Sequence, residues 1–327
     1  MKLFFGKDAS DEFIRAKLNW DNSNSVKNTC KKLSKIAKMK IKKCYVCQNS
    51  KSKKVCQFYG INYVQCTKCK LVYTDRVVSE EGIKSYYKKN LAYFSEPYLN
   101  KNQIKLRNNL ILPKIKFVKK FAKGKNWLDV GSADGAAPQM ASKEGFHSLG
   151  IEISEKSVSF AKKYRNVVLY PKTLELFQKE NKKKWDIVSF FGIIDLVPNP
   201  LEFLEIANDL LSKNGIVVVH VPNYNSGSTL VQKLVKEPAR HLKPPLNFKL
   251  FDIKTIEYAL KKTGFTPIVA WYYGMDMIEL IKYIRNTDKK FKNSEIDKFL
   301  CKKLNDFQLI FDKESMGDMV TVIGKKK

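Results

Sequence analysis

The stretch Leu128-Asp-Val-Gly-Ser-Ala-Asp-Gly135 decides the fold that we predict for this chain. Its first residues belong to a short apolar run that is typical of a buried strand. Gly131 and Gly135 then bracket a tight turn, and a helical pattern follows from Ala136. Glycines in such a turn let the backbone approach a ligand, and the helix that follows offers free N–H groups. The stretch therefore predicts a strand, a ligand-binding turn and a helix.

The same alternation of apolar strands and helices continues along the chain. Further strands are predicted at residues 148–153, 167–170, 186–191 and 215–221, and helices at 136–144, 155–164 and 200–211. Short buried strands that alternate with helices form parallel, doubly wound sheets with right-handed crossovers. We therefore expect an α/β fold whose sheet is mostly parallel.

Composition restricts the class of protein. The chain has 327 residues, of which 44% are hydrophobic and 12% aromatic, and this is enough to bury a core and excludes wholesale disorder. Its apolar runs fall short of the roughly 18 residues that a membrane span requires. The first residues lack the apolar stretch of a secretory signal. We therefore expect a cytoplasmic protein without a membrane span.

The net charge of +29 is carried by lysine, with 55 lysines and only six arginines. Between Asp21 and Asp75 there is no acidic residue, so this segment should attract anions. A coat of solvated lysines explains the same pattern equally well. The sequence leaves both interpretations open.

Four of the seven cysteines form two pairs with metal-ligand spacing. Cys44 and Cys47 are separated by two residues, as are Cys66 and Cys69, with 18 residues between the pairs. Each such turn points two thiolates at one centre, and two turns complete the tetrahedral shell of a zinc ion. Disulfides are the alternative, and they are unusual in a chain without a secretory signal. We predict a zinc ribbon in which these four cysteines hold one structural zinc ion.

The motifs that the glycine-rich turn does not match restrict which ligand it can bind. Glu152 ends the second predicted strand, 17 residues beyond Gly135, where a carboxylate can accept hydrogen bonds from both hydroxyls of a ribose. The turn matches neither the G-x-G-x-x-G motif of dinucleotide-binding proteins nor the phosphate loop of nucleoside triphosphatases. The remaining common ligand of such an α/β sheet is S-adenosylmethionine.

Several motifs, in order along the chain, resemble those of class I S-adenosylmethionine-dependent methyltransferases. The turn at 128–135 resembles their first motif and Gly150-Ile-Glu-Ile-Ser154 their second. Segments around their later strands are similar to residues 186–200, 213–219, 221–224, 262–265 and 316–325. The resemblance covers about residues 105–327, and the zinc ribbon extends it toward methyltransferases of sugar, polysaccharide and natural-product pathways. It implies a Rossmann-like, seven-stranded sheet.

The resemblance also implies which residues hold S-adenosylmethionine. Glu152 would bind the ribose hydroxyls, and Ile153 would cover the adenine. Backbone N–H groups of Thr173 and Leu174 would reach the adenine edge, and Phe191 would line the methionine end. The cofactor-binding residues that we predict are Asp129, Gly131, Ser132, Gly135, Glu152, Ile153, Thr173, Leu174 and Phe191.

The acceptor side departs from the family pattern. Relatives carry a Pro-Pro-x-His-Leu segment whose histidine lies near the acceptor, and Asn247 stands here in place of that histidine. An amide cannot take a proton at neutral pH, so we expect Asn247 to position the acceptor. His241, six residues earlier, is then the predicted base. Asp195 and Tyr224 are further candidates for that role.

Four regions are expected along the chain. Residues 1–43 form a basic N-terminal extension and residues 44–75 the zinc ribbon. Residues 76–104 form an aromatic-rich helical linker, and residues 105–327 form the methyltransferase domain. Apolar residues at helical spacing within about 275–311 predict a lid of two helices. Such an insertion lies near the carboxyl ends of the strands, where ligands bind in sheets of this kind.

Three functions remain open on the sequence. The first is methyl transfer from S-adenosylmethionine to a small molecule, such as a sugar, a nucleotide-linked sugar or a polysaccharide precursor, and the diphosphate of a nucleotide-linked sugar would suit the basic surface. The second is methyl transfer to RNA or protein docked on the basic ribbon. Nucleic acid is not favoured, because the Asn-Pro-Pro-Tyr motif of base-amine methyltransferases is missing from strand four. The third is a non-catalytic binding module with a relict cofactor fold, and the intact turn and Glu152 argue against it.

Overall fold

The computed structural model describes residues 1–6, 13–14, 17–18, 23–79, 81–82, 99–235 and 240–327. The aromatic residues of the predicted linker, at positions 86–98, lie outside the described residues. Within the described part of the chain, the strands form one large sheet, a small four-stranded sheet and a separate two-stranded pair.

The large sheet is mostly parallel. Its order is β1-β13-β14-β11-β10-β7-β8-β9, and β14 runs antiparallel to both of its neighbours. The strands of the described residues are β1 (Lys2–Phe5), β2 (Met39–Lys40), β3 (Ser52–Phe58), β4 (Ile61–Cys66), β5 (Val72–Thr74), β6 (Arg76–Val77), β7 (Asn126–Val130), β8 (His147–Ile151), β9 (Leu169–Tyr170), β10 (Trp185–Phe191), β11 (Leu211–Pro222), β12 (Lys249–Leu250), β13 (Phe265–Tyr273) and β14 (Met319–Lys326).

Helices cover both faces of this sheet. The helices of the described residues are α1 (Ser23–Ile36), α2 (Ile104–Lys119), α3 (Ala136–Lys143), α4 (Glu155–Phe160), α5 (Leu174–Glu180), α6 (Pro200–Leu210), α7 (Gly227–Val235), α8 (Ile253–Lys262), α9 (Asp276–Thr287), α10 (Glu295–Lys302) and α11 (Leu304–Lys313). One face of the sheet packs on α2 and α3, and the other packs on α5, α6 and α8. None of these helices combines the length and apolar character that crossing a membrane would require.

Seven of the strands confirm the predicted doubly wound sheet, and an eighth, β1, was not predicted. β1 lies parallel to β13 at the sheet edge. Phe4 packs against Phe117 of α2 and against Phe121, which follows that helix, with ring centroids 5.4 and 5.8 Å away. The indole N–H of Trp271 donates to the carbonyl oxygen of Gly6 at 2.9 Å. A strand of four residues has too short a pattern to be distinguished from an irregular segment.

Two elements differ from the predicted pattern. The strand predicted at residues 167–170 is shorter than expected, because only Leu169 and Tyr170 pair with β8. The lid insertion has three helices, α9, α10 and α11, where two were predicted. The second predicted helix is divided at Lys303, whose φ of −101° and ψ of 15° end α10. The apolar positions on either side of Lys303 therefore follow two helix axes.

The small sheet joins the predicted ribbon to the domain that contains the large sheet. Its order is β12-β5-β4-β3, and β12 comes from the chain after β11. Lys249 and Leu250 of β12 pair antiparallel with Tyr73 and Val72 of β5. The segment between β11 and α8 is therefore hydrogen-bonded to the ribbon.

Candidate cofactor, acceptor and metal sites

The glycine-rich turn lies between β7 and α3 at the carboxyl edge of the large sheet. Gly131 and Gly135 have φ values of 70° and 79°, a left-handed conformation that residues with a side chain seldom adopt. The backbone N–H groups of Gly131 and Ser132 donate to the carbonyl oxygen of Ile151 at 2.9 and 3.1 Å. The turn is thereby fixed against the end of β8, and the N-terminus of α3 lies directly behind it.

Asp129 holds the turn from inside the sheet. Its carboxylate accepts hydrogen bonds from the hydroxyls of Ser132 at 2.8 Å and Ser189 at 2.6 Å. Ser189 in turn accepts a hydrogen bond from the indole N–H of Trp127 at 2.7 Å. Burial raises the pKa of Asp129 to about 7, and the two hydroxyls oppose that rise. Asp129 and Ser132 therefore shape the turn through contacts with each other.

Glu152 follows β8 at the same edge. Its Oε2 accepts a hydrogen bond from the backbone N–H of Ala133 in the turn, and its Oε1 accepts one from Ser154, both at 2.9 Å. Ile153 beside it is 73% exposed, although large apolar side chains are usually buried. A carboxylate and an open apolar surface therefore lie side by side next to the turn.

The other predicted cofactor residues divide between the open edge and the core. The hydroxyl of Thr173 caps the N-terminus of α5, and Leu174 is buried in the core. Phe191 ends β10, and Gly192 follows it with a φ of 76°. A Cβ at Gly192 would meet no atom of the described residues within 4 Å. Open space is thus present above Gly192, while the side chains of Thr173 and Leu174 serve the helix and the core.

An ion-pair network that was not predicted from the sequence stabilises the turn on its buried side. Asp134 is fully buried and pairs with both Arg107 of α2 and Arg165, the Arg107 contact being 2.8 Å. Nη1 of Arg165 also donates to the side-chain oxygens of Asn108 at 2.7 Å and Gln139 at 2.9 Å. These partners lie on three different elements, so no local pattern could have grouped them. The network fixes the turn to α2 and α3.

His241 lies in a buried charged group at the start of β14. Its Nε2 is 3.1 Å from Nε of Arg240 and 3.3 Å from Oδ2 of Asp318, and Arg240 pairs with Asp318 as well. Burial lowers the pKa of His241, and Asp318 opposes that effect. The imidazole is therefore neutral at neutral pH, which is the form that can take a proton. Because β14 is antiparallel to β11, its start lies at the carboxyl edge. Arg240 and Asp318 were not predicted.

Asn247 and Tyr224 lie where the domain of the large sheet meets the ribbon. The carbonyl oxygen of Asn247 accepts a hydrogen bond from the hydroxyl of Tyr63 at 2.6 Å, and its backbone N–H donates to Lys243 at 3.0 Å. Tyr224 is buried in an apolar cluster, and its hydroxyl accepts a hydrogen bond from Nζ of Lys233 at 3.2 Å. Contacts across the junction therefore hold both residues.

Asp195 lies in the loop that follows β10. Its side chain is 6% exposed, and its Oδ1 has no hydrogen-bond partner among the described residues. Burial raises the pKa of Asp195 to about 6, and Lys249 and Lys243 oppose that rise. Ile193 of the same loop packs on the cofactor turn, since a Cβ at Gly131 would lie 2.3 Å from its Cδ1. A buried carboxylate oxygen with no partner among the described residues therefore lies two residues along the loop from a contact with the glycine-rich turn.

The four cysteines of the ribbon converge. Sγ of Cys44 lies 3.4 Å from that of Cys69, and Sγ of Cys47 lies 3.3 Å from that of Cys66. All four sulfur atoms lie within 4.8 Å of one another, and all four residues are buried. Four sulfur atoms about 2.3 Å from a tetrahedral centre would be about 3.8 Å apart. The cluster therefore has dimensions that fit one zinc ion.

The same backbone turn holds each cysteine pair. The N–H of Gln48 donates to the carbonyl oxygen of Cys44 at 3.0 Å, and the N–H of Lys70 donates to that of Cys66 at 3.2 Å. Gln48 and Lys70 have φ values of 57° and 67°, and glycine would adopt this conformation more readily. The ribbon therefore makes both turns without glycine, and the surrounding hydrogen bonds maintain the left-handed backbone.

Comparison with known proteins identifies the main domain. A family model described as a methyltransferase domain matches residues 103–270. An uncharacterized protein of Methanocaldococcus jannaschii is 24% identical over 239 residues, which are 68% of this chain and 84% of that protein. The ubiquinone biosynthesis O-methyltransferase of Nitrosospira multiformis is 27% identical over 126 residues, which are 37% of this chain and 53% of that enzyme.

Among solved structures, the chain is similar to a SAM-dependent methyltransferase from Archaeoglobus fulgidus. The TM-score is 0.47 and the identity 17%, over 67% of this chain and 94% of that one. The family model spans just over half of the chain and includes β7 to β11, the cofactor turn and Glu152. The chain therefore belongs to the methyltransferase-domain family and is a class I S-adenosylmethionine-dependent methyltransferase.

Proposed function

We propose that the protein methylates a small polar acceptor of the class of sugars, nucleotide-linked sugars or polysaccharide precursors. The burial of the charged side chains at the acceptor edge carries this proposal. Asp195, His241 and Lys249 are buried, and Lys243 is half-buried. An acceptor that reaches them has to enter the protein, which a small molecule does more readily than the surface of a folded polymer. The carboxylate suits hydroxyl groups, and the half-buried Lys243 suits phosphate.

The residues around the turn fit S-adenosylmethionine, which supplies a methyl group on a sulfonium centre for in-line displacement. Glu152 would accept hydrogen bonds from the ribose hydroxyls, as acids at this position do in nucleotide-binding sheets. The exposed side chain of Ile153 would cover the adenine. The open space above Gly192 would admit the methionine end.

At the acceptor, this chain would position a hydroxyl and accept its proton. Asp195 would accept a hydrogen bond from the acceptor through its unpartnered Oδ1. His241 would take the proton on Nδ1 in the tautomer whose Nε2–H donates to Oδ2 of Asp318. Asn247 would contact a part of the acceptor that does not react.

The proposal includes one structural zinc ion in the ribbon. Four thiolates would hold the ion, those of Cys44, Cys47, Cys66 and Cys69. They would complete its coordination shell and leave no position for water or a substrate. The hydroxyl of Thr255 on α8 donates to the carbonyl oxygen of Cys69 at 2.9 Å. The metal would therefore stabilise the contact between ribbon and methyltransferase domain.

The charge of the ribbon and of the described residues just before it favours a second candidate, methyl transfer to RNA. Residues 23–77 carry 13 lysines and one arginine against a single acid, Asp75. The lysines around the cysteine turns are exposed, at positions 42, 43, 51, 53, 54, 68 and 70. Such a surface can attract a phosphate backbone without reading its sequence.

The destination of the methyl group distinguishes these candidates. Purified protein is incubated with methyl-labelled S-adenosylmethionine and fractionated host extract, and we expect label in the small-molecule fraction. Label recovered in RNA would replace the proposal with the second candidate. Label in protein would likewise contradict a small-molecule acceptor. Absence of transfer by protein that binds S-adenosylhomocysteine would indicate a non-catalytic module.

Metal analysis tests the ribbon. We expect about one zinc per chain in reduced, freshly purified protein, and loss of metal with a lower unfolding temperature on changing Cys66→Ser. Cys56→Ser is the matched control, because Cys56 is a half-buried cysteine of the same ribbon outside the cluster. Protein that is folded and free of zinc would rule out the metal site.

Calorimetry with S-adenosylhomocysteine tests Glu152. Glu152→Ala is expected to weaken binding by about 2–3 kcal/mol, because one ionised carboxylate makes two charge-assisted hydrogen bonds to the ribose. Glu152→Gln keeps the shape of the side chain and removes its charge, so its affinity should lie between those of the wild type and Glu152→Ala. Glu155→Ala, at an exposed position of α4, is the control. Unchanged affinity in a folded Glu152→Ala protein would contradict the ribose assignment.

Kinetics with the labelled acceptor fraction distinguish the role of His241 from that of Asn247. His241→Gln should lower turnover at least about 100-fold, because a positioned base typically contributes 10²–10⁴-fold, and it should leave the affinity for S-adenosylhomocysteine unchanged. Asn247→Ala should raise the acceptor's KM more than it lowers kcat. His147→Ala, at the exposed start of β8, is the control. Full turnover by His241→Gln would show that the reaction uses no base at this position.

A further inference from the structure

Lys249 is a lysine buried between the ribbon and the methyltransferase domain. It lies on β12, opposite Tyr73 of β5, and its exposed fraction is 0%. Its neighbours in the chain, Phe248, Leu250 and Phe251, are apolar, and the last two are buried. Packing alone would therefore favour an apolar residue at this position, as at the adjacent ones.

The surroundings of the ammonium group are specific. Nζ of Lys249 lies 5.0 Å from the ring centroid of Tyr45 and 4.5 Å from that of Phe248, distances at which aromatic faces attract a cation. It also donates a hydrogen bond to the carbonyl oxygen of Val197. Among the described residues, no carboxylate lies within ion-pairing distance of it. Burying a cation without a direct anion is costly, so the lysine needs a further explanation.

Val197 and Asp195 belong to the same loop after β10. The hydrogen bond from Lys249 to Val197 therefore fixes the backbone two residues beyond Asp195. The positive charge of Lys249 also acts on the buried Asp195 carboxylate, whose Oδ1 has no partner among the described residues. One side chain thus acts on Asp195 both through the backbone and through its charge.

We propose that Lys249 is a positioning residue that keeps Asp195 ionised and correctly placed to accept a hydrogen bond from the acceptor. The inference depends on the proposed function, since it assumes that Asp195 faces the acceptor. Under this proposal, β12 completes the ribbon's sheet and also places a positive charge beside the loop after β10.

Other titratable groups also lie around Lys249 and Asp195. Lys243 also favours the ionised form of Asp195, and Cys30, Arg240 and Glu279 act on Lys243 in turn. Burial raises the pKa of Tyr45 to about 12, and it also raises the pKa of Tyr73. Both tyrosines are therefore uncharged near neutral pH. The charge that reaches Asp195 comes from the two lysines.

The direction of the expected pH effect follows from these shifts. Burial raises the pKa of Asp195 to about 6, and burial lowers the pKa of Lys249 to about 7. Ionised Asp195 favours the protonated form of Lys249, and the positive charge of Lys249 in turn favours the ionised form of Asp195. Removing that charge should raise the pKa of Asp195 further.

The titration of Asp195 tests this inference without any acceptor. Full-length protein with ¹³C-labelled aspartate carboxyls is titrated by NMR, and the Asp195 signal is assigned by its loss in Asp195→Asn. In Lys249→Met we expect the pKa of Asp195 to rise by about one unit or more. Lys254→Met, at an exposed position of α8, should leave it unchanged.

Two further variants separate charge from packing. Lys249→Gln keeps a donor for Val197 and removes the charge, so it should raise the pKa of Asp195 as Lys249→Met does. Lys249→Arg keeps the charge and should restore the wild-type titration. An unchanged Asp195 titration in Lys249→Met or Lys249→Gln protein that binds zinc and S-adenosylhomocysteine normally would overturn the inference. Methyl transfer by Asp195→Asn is measured separately, so that full activity there would contradict the proposed function and leave the electrostatic result intact.

Discussion

The antiparallel pairing of β12 with β5 is the contact on which the arrangement of this protein depends. It makes a strand of the methyltransferase domain the edge of the ribbon's sheet, so the two parts share one hydrogen-bonded structure. The segment that carries His241 and Asn247 runs into β12 and is anchored by it. The hydrogen bond from Tyr63 to the backbone of Asn247 adds a second anchor. The ribbon thereby fixes the position of the segment that carries His241 and Asn247.

Buried charge recurs along the carboxyl edge of the large sheet. Asp134 lies behind the cofactor turn with two arginines, and Asp318 lies beside His241 with Arg240. Lys249 lies under the loop that carries Asp195. Ionised groups are costly to remove from water and keep their geometry only when their partners are fixed. A site built in this way has its polar groups oriented before any ligand arrives, which lowers the reorganisation that binding and reaction require.

Sequence analysis succeeded where a feature is encoded in a local pattern. The strand, turn and helix around Gly131 and the two cysteine turns each occupy a few consecutive residues, and their geometry follows from residue type and spacing. The network of Asp134 and Arg165 could not be found in this way, because its members come together only through packing. Lys249 carried no signal either, since a lysine in a chain with 55 of them does not stand out until its burial is known.

The edge strand β1 has a consequence for how the protein is synthesised. Lys2 pairs with Val269, and Tyr73 of the ribbon pairs with Lys249, so both sheets are completed by strands that the ribosome makes much later. Until then, the early segments present strand edges without their neighbours. Contacts of such long sequence separation slow folding, and open edges are prone to pairing with the wrong chain. The topology therefore leaves the edges of β1 and β5 unpaired until β13 and β12 have been made.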